Sequence, residues 1–396
     1  MAGFAWDGIT LAFELAFGDK FTTVSPTWVD VTGYVDAFHV KGGRSSLQNQ
    51  YQGRSSVWLL DNTDDRFNPN NTSSPYSPDV LLGVPARITV THNAVDYVVF
   101  RGLVDEWPMA YGYGPRAQIQ LPLSDFTKVL TRIAPTGSRT SRTTDEMIEE
   151  ILDDVFWPSA IRDIDTGVAS TPDIDFDDVG GSAFEFCEWV ANAEAGHFFI
   201  AADGDATFRN RVASSGGSAS QATFGPGASE IKYEDVSVVY DGVDVFNSVF
   251  VAPLDEDEFV GRGFATITSP LGYESSLEVT AAVESRTHAN NVADWLLGRY
   301  GTLRPRIRKL TFAPNVVDAW PTSLGLDLRD VVTVKVPGDG TSDDLEQDCA
   351  IEHITHSAVG GGKWLTTWDL YPLSDLEQED FWILGTSELG TETNLA

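Results

Sequence analysis

The chain has 396 residues, which at about 100 to 200 residues per domain corresponds to two to four domains. Its 26 Lys and Arg stand against 59 Asp and Glu, and the resulting net charge of −33 disfavours nucleic acid and anionic lipid as direct ligands. Apolar residues form 42% of the chain, enough to bury a core, which excludes the intrinsically disordered class.

Residues 1–21 lack a basic segment followed by a long apolar one, so the sequence predicts no secretory signal. No uncharged apolar run reaches the roughly 18 residues that a transmembrane helix needs. The two cysteines, Cys187 and Cys349, are far apart in sequence, and we expect both to be small buried apolar residues rather than disulfide partners.

Residues 1–125 alternate short β-rich runs with turn residues, a pattern that predicts an antiparallel barrel or sandwich module. The predicted strands are Trp28–Val35, Ser55–Leu60, Ala86–Val90, Tyr97–Val104 and Ala117–Pro122. Turn-forming residues from Asp61 to Tyr76 flank Phe67, so we expect an ordered excursion anchored by this side chain.

Two helices follow. Thr143 with Glu146, and Ser182 with Glu185, have the spacing of capping boxes, and each pair precedes apolar residues at helical spacing. Gly196 stands where a C-terminal cap of the second helix is expected.

A hairpin is predicted from His197–Ala201 and Ala206–Arg209, which flank a short polar turn. It would close a small α/β insertion, residues 126–212, before a Gly/Ser-rich connector, residues 213–235, that shows no periodicity.

Residues 236–375 are predicted to form a second β module, followed by a C-terminal tail, residues 376–396. Its elements are strands at Val236–Tyr240, Val245–Val251 and Gly263–Ile267, a helix at Arg286–Tyr300, and β structure from Arg306 to Leu373. The fold class is therefore mainly β with an α+β insertion.

The two β modules share a sequence pattern. The first module contains, in order, Leu82-Gly83, a strand beginning near Arg87, two further strands and Pro122-Leu123-Ser124-Asp125. The second module contains the same elements in the same order: Leu324-Gly325, a strand beginning near Arg329, two further strands and Pro372-Leu373-Ser374-Asp375. This order favours a duplicated module. Three chains around an axis would then present six similar modules, which suits an adaptor between three-fold and six-fold rings.

Over nearly its whole length, the chain resembles the minor tail proteins, or tail hubs, of long-tailed (siphovirus) actinobacterial phages. The segments that carry the resemblance are Thr27–Val35, Gly43–Ser46, Leu59–Asn70, Ser74–Tyr76, Pro85–Ile88, Phe100–Gly102, Phe198–Arg209, Asn247–Val249, Leu297–Gly301, Gln347–Cys349, Leu384–Gly385 and Leu395–Ala396.

The resemblance implies a homotrimeric tail hub, or baseplate hub, built from two modules related to tail-tube proteins. It implies a virion location at the tail tip after synthesis in the host cytoplasm. The expected partners are the distal tail protein ring, the tape measure protein and tip or fibre proteins, with genomic DNA passing through the channel and no direct membrane insertion. Acidic residues on the channel wall would repel the passing DNA.

The sequence predicts no catalytic, cofactor-binding or metal-binding residues. Asp173, Asp175, Asp177 and Asp178 lack the Gly and Glu of a calcium loop, and a solvated turn before Ser182 is favoured.

Cys349, His353 and His356 are predicted strand residues rather than zinc ligands, because the two histidines point to opposite faces of a strand. The acidic run from Asp255 to Glu258 is predicted to be a solvated hairpin tip. No hydrolase, zinc-protease or nucleotide-binding motif is present, so the sequence predicts a protein that is not an enzyme.

Trp364 and Trp368, four residues apart on the last β run, are expected to share a face and to belong to a core or subunit interface. A sugar-binding face is the alternative for this pair, and with it a host-surface carbohydrate-binding tail protein. A peptidoglycan-degrading tail enzyme is a more remote alternative.

Overall fold

The computed structural model describes residues 6–23, 25–45, 50–109, 118–211, 219–254, 263–266, 271–338, 344–359 and 362–373. The fold is mainly β: thirteen strands join one large sheet, and three small sheets accompany it. The acidic run from Asp255 to Glu258 and the tail, residues 376–396, lie outside the described residues.

The first part of the chain forms the N-terminal unit. Its strands are β1 (Ile9–Leu15), β2 (Val29–Asp30), β3 (Val35–Gly43), β4 (Gln52–Asp61), β5 (Pro85–His92), β6 (Val95–Val104) and β7 (Gln118–Ser124). They pair antiparallel in the order β3-β4-β7-β6-β5-β1-β2. The Phe13 ring of β1 lies 5.2 Å from the Phe38 ring of β3, so the sheet curls until strands near its two ends meet over one core.

The prediction of one strand over Trp28–Val35 is wrong. Only Val29–Asp30 is a strand, because a 3₁₀ turn, Thr32–Tyr34, interrupts the run before β3 begins. The hydroxyl of Thr32 accepts a hydrogen bond from the backbone N–H of Phe13. This side chain ties the turn to β1, which shows how a local polar contact overrides β propensity.

The excursion between β4 and β5 is anchored as predicted. Phe67 is fully buried and its ring lies 5.7 Å from that of Tyr76 and 6.1 Å from that of Trp107. Its backbone N–H donates to the side-chain oxygen of Asn62 at 3.0 Å. The loop is thus held by one aromatic anchor and by its own turn residues.

The middle of the chain combines short helices with two small sheets. Its elements are α1 (Thr127–Leu130), β8 (Ser138–Arg139), α2 (Thr144–Asp154), β9 (Arg162–Ile164), β10 (Ile174–Asp175), α3 (Phe176–Val179), α4 (Ala183–Asn192), β11 (His197–Ile200) and β12 (Ala206–Arg209). The predicted hairpin is β11–β12, and the sequence did not reveal that β9 pairs parallel with β12.

The two predicted capping boxes differ. Ser182 and Glu185 form both reciprocal hydrogen bonds at the start of α4. Thr143 makes no capping bond with its side chain, and the N–H of Thr144, the first helical residue, donates to the carbonyl of Ala169 at 3.0 Å. The helix is correctly predicted in both cases, but the cap only in α4.

Gly196 is not the C-terminal cap residue of α4. Ala195 takes the left-handed conformation with φ 54°, and Gly196 N–H donates to the Ala191 carbonyl at 2.9 Å. A Cβ on Gly196 would lie 2.7 Å from the carbonyl oxygen of Arg209 on β12. The glycine is therefore needed for close approach of two strands rather than for its φ.

The last part of the chain contains the C-terminal unit and a second set of inserted elements. They are β13 (Ala222–Phe224), β14 (Asp235–Val239), β15 (Ser248–Pro253), β16 (Gly263–Thr266), β17 (Ser276–Ala281), α5 (Arg286–Tyr300), β18 (Arg306–Phe312), α6 (Pro314–Val317), α7 (Trp320–Gly325), β19 (Val331–Val336), β20 (Leu345–Val359) and β21 (Leu365–Pro372). The C-terminal unit consists of β13, β14 and β18–β21.

Two predictions for this part need correction. The Gly/Ser-rich connector contains β13, which pairs parallel with β19 and gives the unit its sixth strand. The stretch from Arg306 to Leu373 is not continuous β structure, because α6 and α7 begin at Pro314 and Trp320 with Pro in their first turns. Proline is well tolerated there, although it resembles a turn signal in sequence.

The two units have the same strand order. The order β3-β4-β7-β6-β5-β1 of the N-terminal unit corresponds strand for strand to β14-β18-β21-β20-β19-β13. All pairs are antiparallel except β13–β19. Phe13 meets Trp58 of β4 at 5.2 Å, and at equivalent places Phe224 meets Phe312 of β18 at 4.9 Å. The duplication predicted from sequence is thus visible in strand order and closure.

A third core lies beside the two units. It combines the faces of α2 and α4 with residues of β15, β17 and α5, which are inserted between β14 and β18. Cys187 is buried in this core and Cys349 in that of the C-terminal unit, and both thiols are free as predicted. Among the described residues, no helix combines the length and apolar character needed to cross a membrane.

Candidate interface at the junction of the two units

The N-terminal and C-terminal units are joined into one sheet by β3 and β20. These strands pair antiparallel, from His353 opposite Gly43 to Val359 opposite Ala37. The other half of β20 pairs with β19, and the strand spans both units because it is 15 residues long. Strand β3 is the first strand of the N-terminal order, so the other unit covers its outer edge.

Glycine permits the close approach at this junction. A Cβ on Gly43 would lie 2.2 Å from the carbonyl oxygen of Glu352, and the backbone there has φ 116°. A Cβ on Gly42 would lie 2.2 Å from Cγ of Arg54 and 2.9 Å from its Cα. Both positions therefore exclude any larger residue.

A buried group of charges sits at the end of the paired strands. In this junction cluster, Arg44 donates to Glu352 at 2.8 and 3.2 Å, Tyr51 donates to Glu352 at 2.7 Å, and Arg329 forms a further ion pair with it. All four side chains are buried. Arg44 and Tyr51 come from the N-terminal unit and the other two from the C-terminal unit, so the cluster joins them.

The electrostatics of the cluster favour an ionised Glu352. Burial by itself raises the pKa of this carboxyl, but the charges of Arg44 and Arg329 and the hydrogen bonds outweigh it and hold the pKa at about 2. A buried carboxylate with this many partners is satisfied, whereas removing Glu352 would leave the guanidinium groups of Arg44 and Arg329 buried without a counter-charge.

The backbone of Arg329 is strained at the position from which its side chain reaches the cluster. Its φ is 72°, which is unusual for a residue with a side chain. Its N–H donates to the carbonyl of Ile351 at 2.8 Å while its guanidinium reaches Glu352. Such conformations persist only where the surroundings fix them, and here the junction does so.

A second polar contact links the units beside the cluster. Arg54 of β4 is buried and forms an ion pair with Asp327, which also accepts the N–H of Ala202 at 2.8 Å. The Arg54 backbone N–H donates to Asp125, the last residue of the first Pro-Leu-Ser-Asp run, at 2.5 Å. Burial raises the pKa of Asp125 to about 6. This short motif therefore ends in a buried carboxylate that fixes β4.

A cavity of about 370 Å³ opens next to the cluster, lined by residues that include Arg44, Tyr51, Glu188, His197 and Leu277. Glu188 is 8% exposed and its Oε2 has no hydrogen-bond partner among the described residues. Burial raises its pKa to about 8. Glu188 is therefore predominantly neutral at pH 7, in contrast to Glu352.

Strand β14 lies at one edge of the large sheet formed by the described residues. In the part of the chain that the structure describes, β14 pairs only with β18, although its equivalent β3 pairs on both sides. Val238 on β14 is 41% exposed, and Tyr240 just beyond it is 66% exposed. An open strand edge with exposed apolar side chains is a surface suited to pairing with another chain.

The aspartates singled out in sequence serve local turns. Asp175 caps α3, accepting from the N–H groups of Asp177 and Asp178, and also accepts from the Ser138 hydroxyl at 2.6 Å. Asp173 accepts from the N–H of Ser141 at 2.6 Å. These carboxylates point to separate partners in a turn before Ser182, although the short helix α3 within it was not predicted.

The histidines of β20 point to opposite faces, as predicted. His356 is buried with Nδ1 3.1 Å from Oγ1 of Thr366, and burial lowers its pKa to about 3. His353 lies on the other, partly exposed face near Asp369. Within the described ranges, no three His, Cys, Asp or Glu side chains are grouped so that they could hold a metal ion.

Trp364 and Trp368 are both fully buried. Trp364 belongs to the core of the N-terminal unit, with its ring 5.4 Å from that of Trp320, and Trp368 belongs to the core of the C-terminal unit. The core interpretation is thus correct. Neither ring is exposed to bind a sugar.

Three solved structures are similar to this chain in fold over most of their length. A tail protein from Neisseria meningitidis MC58 is 12% identical, with a TM-score of 0.58 over 91% of this chain and 96% of that one. The 43 kDa tail protein of prophage MuSo2 from Shewanella oneidensis is 14% identical, with a TM-score of 0.58 over 92% and 98%. The chain has the fold of phage tail proteins.

Prophage tail protein gp18 from Listeria monocytogenes EGD-e is 10% identical, with a TM-score of 0.50 over 92% of this chain and 96% of that one. No protein-family model matches the sequence, and no curated protein matches it either. At such low identity the likeness to these tail proteins establishes the fold alone.

Sequence reasoning did not find the junction cluster. Arg44 and Glu352 are 308 positions apart, and no local pattern links them. The one available signal was the apolar run of β20 interrupted by Glu352, since a charge between buried strand positions requires a partner.

Proposed function

We propose that the chain is a structural component of a phage virion, a tail hub at the distal end of the tail tube. The observation that carries this proposal is the duplicated unit, with equivalent strand order in a chain whose fold is that of phage tail proteins. Three copies would present six similar units around an axis and could mate with a six-fold ring.

In this proposal the hub connects the tube and the distal tail protein ring to the tip or fibre proteins, and the tape measure protein meets it from inside. The genome leaves through the central channel. The net charge of −33 supports a passage that repels DNA rather than binding it, provided that acidic residues line the wall. The resemblance to actinobacterial siphovirus proteins supports this class of phage.

The hub has no catalytic role in this proposal. The buried carboxylate of Glu352 is fully engaged by Arg44, Tyr51 and Arg329 and holds the two units together. The alternative of a carbohydrate-binding tail protein loses its main support, because Trp364 and Trp368 are buried in two cores.

The decisive experiment is the absolute mass of the purified protein over a range of concentrations, followed by electron microscopy of the same peak. A mass of three chains in a ring with an axial opening is expected. A saturable glycan interaction by monomers, or clearing zones on cell walls, would instead contradict the hub and favour the carbohydrate-binding or wall-degrading alternative.

A further inference from the structure

The cavity of about 370 Å³ beside the junction cluster lies where three parts of the chain meet, and we call it the junction cavity. Arg44 and Tyr51 line it from the N-terminal unit, Glu188 lines it from α4, and His197 lines it from β11. Residues of β17 and α5 complete the lining. Cavities of this volume between domains are typical places for a small ligand.

Two buried polar atoms of the lining residues have no partner. Oε2 of Glu188 and Nε2 of His197 make no hydrogen bond within the described part of the chain. The Glu188 side chain belongs to a residue that is only 8% exposed. Native proteins leave few buried polar atoms unpaired, and a missing bound group is a common explanation for those that are. These two atoms therefore point to a binding site in the junction cavity.

The charges around the cavity favour an anion. Burial lowers the pKa of His197 well below its usual value. The positive charges of Arg329, Arg44 and Arg299 lower it further, so a cation beside this ring would be repelled and an anion attracted. Burial raises the pKa of Glu188 to about 8, and its carboxyl is therefore mostly protonated at pH 7 and can donate a hydrogen bond to an anion.

Arg44 has donors to offer as well. Its guanidinium donates to Glu352 at 2.8 and 3.2 Å, and its carbon lies 4.5 Å from the centroid of the Tyr51 ring. A guanidinium has five N–H donors, so the contact with Glu352 uses only some of them.

The rest of the lining is mainly apolar and aromatic. It includes the side chains of Trp189, Phe198, Leu277, Leu296 and Tyr300. One side of the cavity thus suits a negative charge and the other a hydrocarbon body, a combination that fits an organic carboxylate better than a hydrated inorganic ion.

We propose that the junction cavity binds a small organic carboxylate, whose oxygens accept from Arg44, Glu188 and His197 while its hydrocarbon part packs against the apolar side. The proposal is independent of the hub, because it concerns a small molecule and not the neighbouring tail proteins. Since the site joins α4 and β11 to the N-terminal unit, the ligand would stabilise the folded chain.

Three probes of nearly the same shape test the charge preference. Benzoate is anionic, benzamide neutral and benzylamine cationic, and each is titrated into the full chain at pH 7 in a calorimeter. We expect benzoate to bind with a dissociation constant below about 1 mM, benzamide to bind at least about tenfold more weakly, and benzylamine to show no saturation. Benzoate should also raise the melting temperature, as a ligand of the folded state does.

The pH dependence of benzoate binding is a second test. Protonated Glu188 donates to the carboxylate and ionised Glu188 repels it, so the affinity should fall by about tenfold between pH 7 and pH 9. Glu188→Gln keeps a donor and cannot ionise, so its affinity at pH 7 should stay within about threefold of the unaltered chain and should not fall with pH. Glu149→Gln, on the exposed side of α2, is the control and should retain the tenfold fall.

The groups around Glu188 leave this readout clear. Arg44 and Glu185 act on it through their charges, and His197 and Glu278 face the cavity from β11 and β17. Carboxyl, guanidinium and tyrosine hydroxyl groups ordinarily titrate outside the range from pH 7 to 9, and His197 is neutral throughout it.

His197→Phe tests the second unpaired atom. The substitution removes the ring nitrogens but keeps a ring, so it should weaken benzoate binding by about tenfold at pH 7 and leave the fall with pH unchanged. Thermal unfolding of each variant shows that it is folded before its affinity is compared.

The contrary outcomes are distinct. Equal affinities for benzoate and benzamide would mean that the site does not recognise a negative charge. Benzylamine binding that strengthens with pH would mean a cation site at Glu188, and no saturable benzoate binding up to about 10 mM would mean no carboxylate site. Each result would overturn the proposal and leave the mass of the assembled protein, and with it the hub, to be judged separately.

Discussion

The N-terminal and C-terminal units have one strand order but different surroundings. In the first, β3 and β4 are joined by a short connection and the edge of β3 is covered by β20. In the second, the equivalent strands β14 and β18 are separated by an inserted sheet and helix, and the edge of β14 is open in the described structure. A duplicated fold thus retains its cores while its connections and edges acquire different roles.

Because the two units have the same strand order, equivalent core residues should contribute equally to the free energy of unfolding. Phe13→Ala and Phe224→Ala each remove a fully buried ring at the closure of one unit, and each should lower the free energy of unfolding by about 4 kcal/mol. The rings belong to different cores, so the double variant should lose about 8 kcal/mol. Denaturant unfolding provides the measurement.

Phe156→Ala is the control, because this ring is exposed and its loss should change stability by less than about 0.5 kcal/mol. If one of the substitutions at Phe13 and Phe224 lowered the free energy of unfolding strongly and the other hardly at all, the two units would not be equivalent.

Disruption of the junction cluster should have the next largest effect on the free energy of unfolding. Glu352→Gln leaves Arg44 and Arg329 buried without a counter-charge and should lower the free energy of unfolding by about 3–5 kcal/mol at pH 7. The folded-state pKa of Glu352, about 2, is below the ordinary 4.5, so its ionisation stabilises the fold above pH 4.5 and this contribution is lost as pH falls towards 2.

The deficit of the Glu352→Gln variant should therefore shrink in acid. Asp64→Asn, which breaks the partly exposed Arg66–Asp64 pair, is the control and should cost less than about 1 kcal/mol. An equally small loss for Glu352→Gln would mean that the strands alone hold the two units together.

A substitution at Gly43 tests how tightly β3 packs against β20. Gly43→Ala places a Cβ 2.2 Å from the carbonyl of Glu352 at a φ of 116°, and should cost about 2–3 kcal/mol in denaturant unfolding. Gly33→Ala, where no atom lies within 4 Å of the added Cβ, is the matched variant and should be nearly neutral. Equal stability of the two variants would show that β3 and β20 can separate without cost.

Glu188 gives the smallest effect and the opposite pH dependence. Burial raises its folded-state pKa to about 8 from 4.5, so the fold loses stability as pH rises between these values. Glu188→Gln cannot ionise and should be more stable than the unaltered chain by about 2 kcal/mol near pH 6, with little difference near pH 4.

Thermal unfolding across this pH range is the measurement, and Glu149→Gln on the exposed side of α2 is the control that should leave the profile unchanged. Parallel profiles for Glu188→Gln and the unaltered chain would place Glu188 in contact with solvent rather than in a buried cavity.

Local sequence patterns predicted the parts of the fold that local physics decides. Alternating apolar residues located β4 to β7, and the Ser182–Glu185 pair and the apolar periodicity located α4 and α5. The same patterns did not locate elements whose conformation depends on pairing with a distant part of the chain. β13 was hidden in a Gly/Ser-rich stretch because its strand conformation comes from pairing with β19.

The sequence by itself determined that this is an acidic, mainly β protein with a duplicated strand pattern and buried cysteines. Composition, alternation and repeat order are local or statistical properties, and they persist in the unfolded chain. Only the tertiary structure decided that β3 meets β20, that Arg44 reaches Glu352 across 308 positions, and that β14 pairs on one side alone within the described part of the chain. Pairing of distant strands depends on which edges the folded units expose, and no local property of the sequence encodes that.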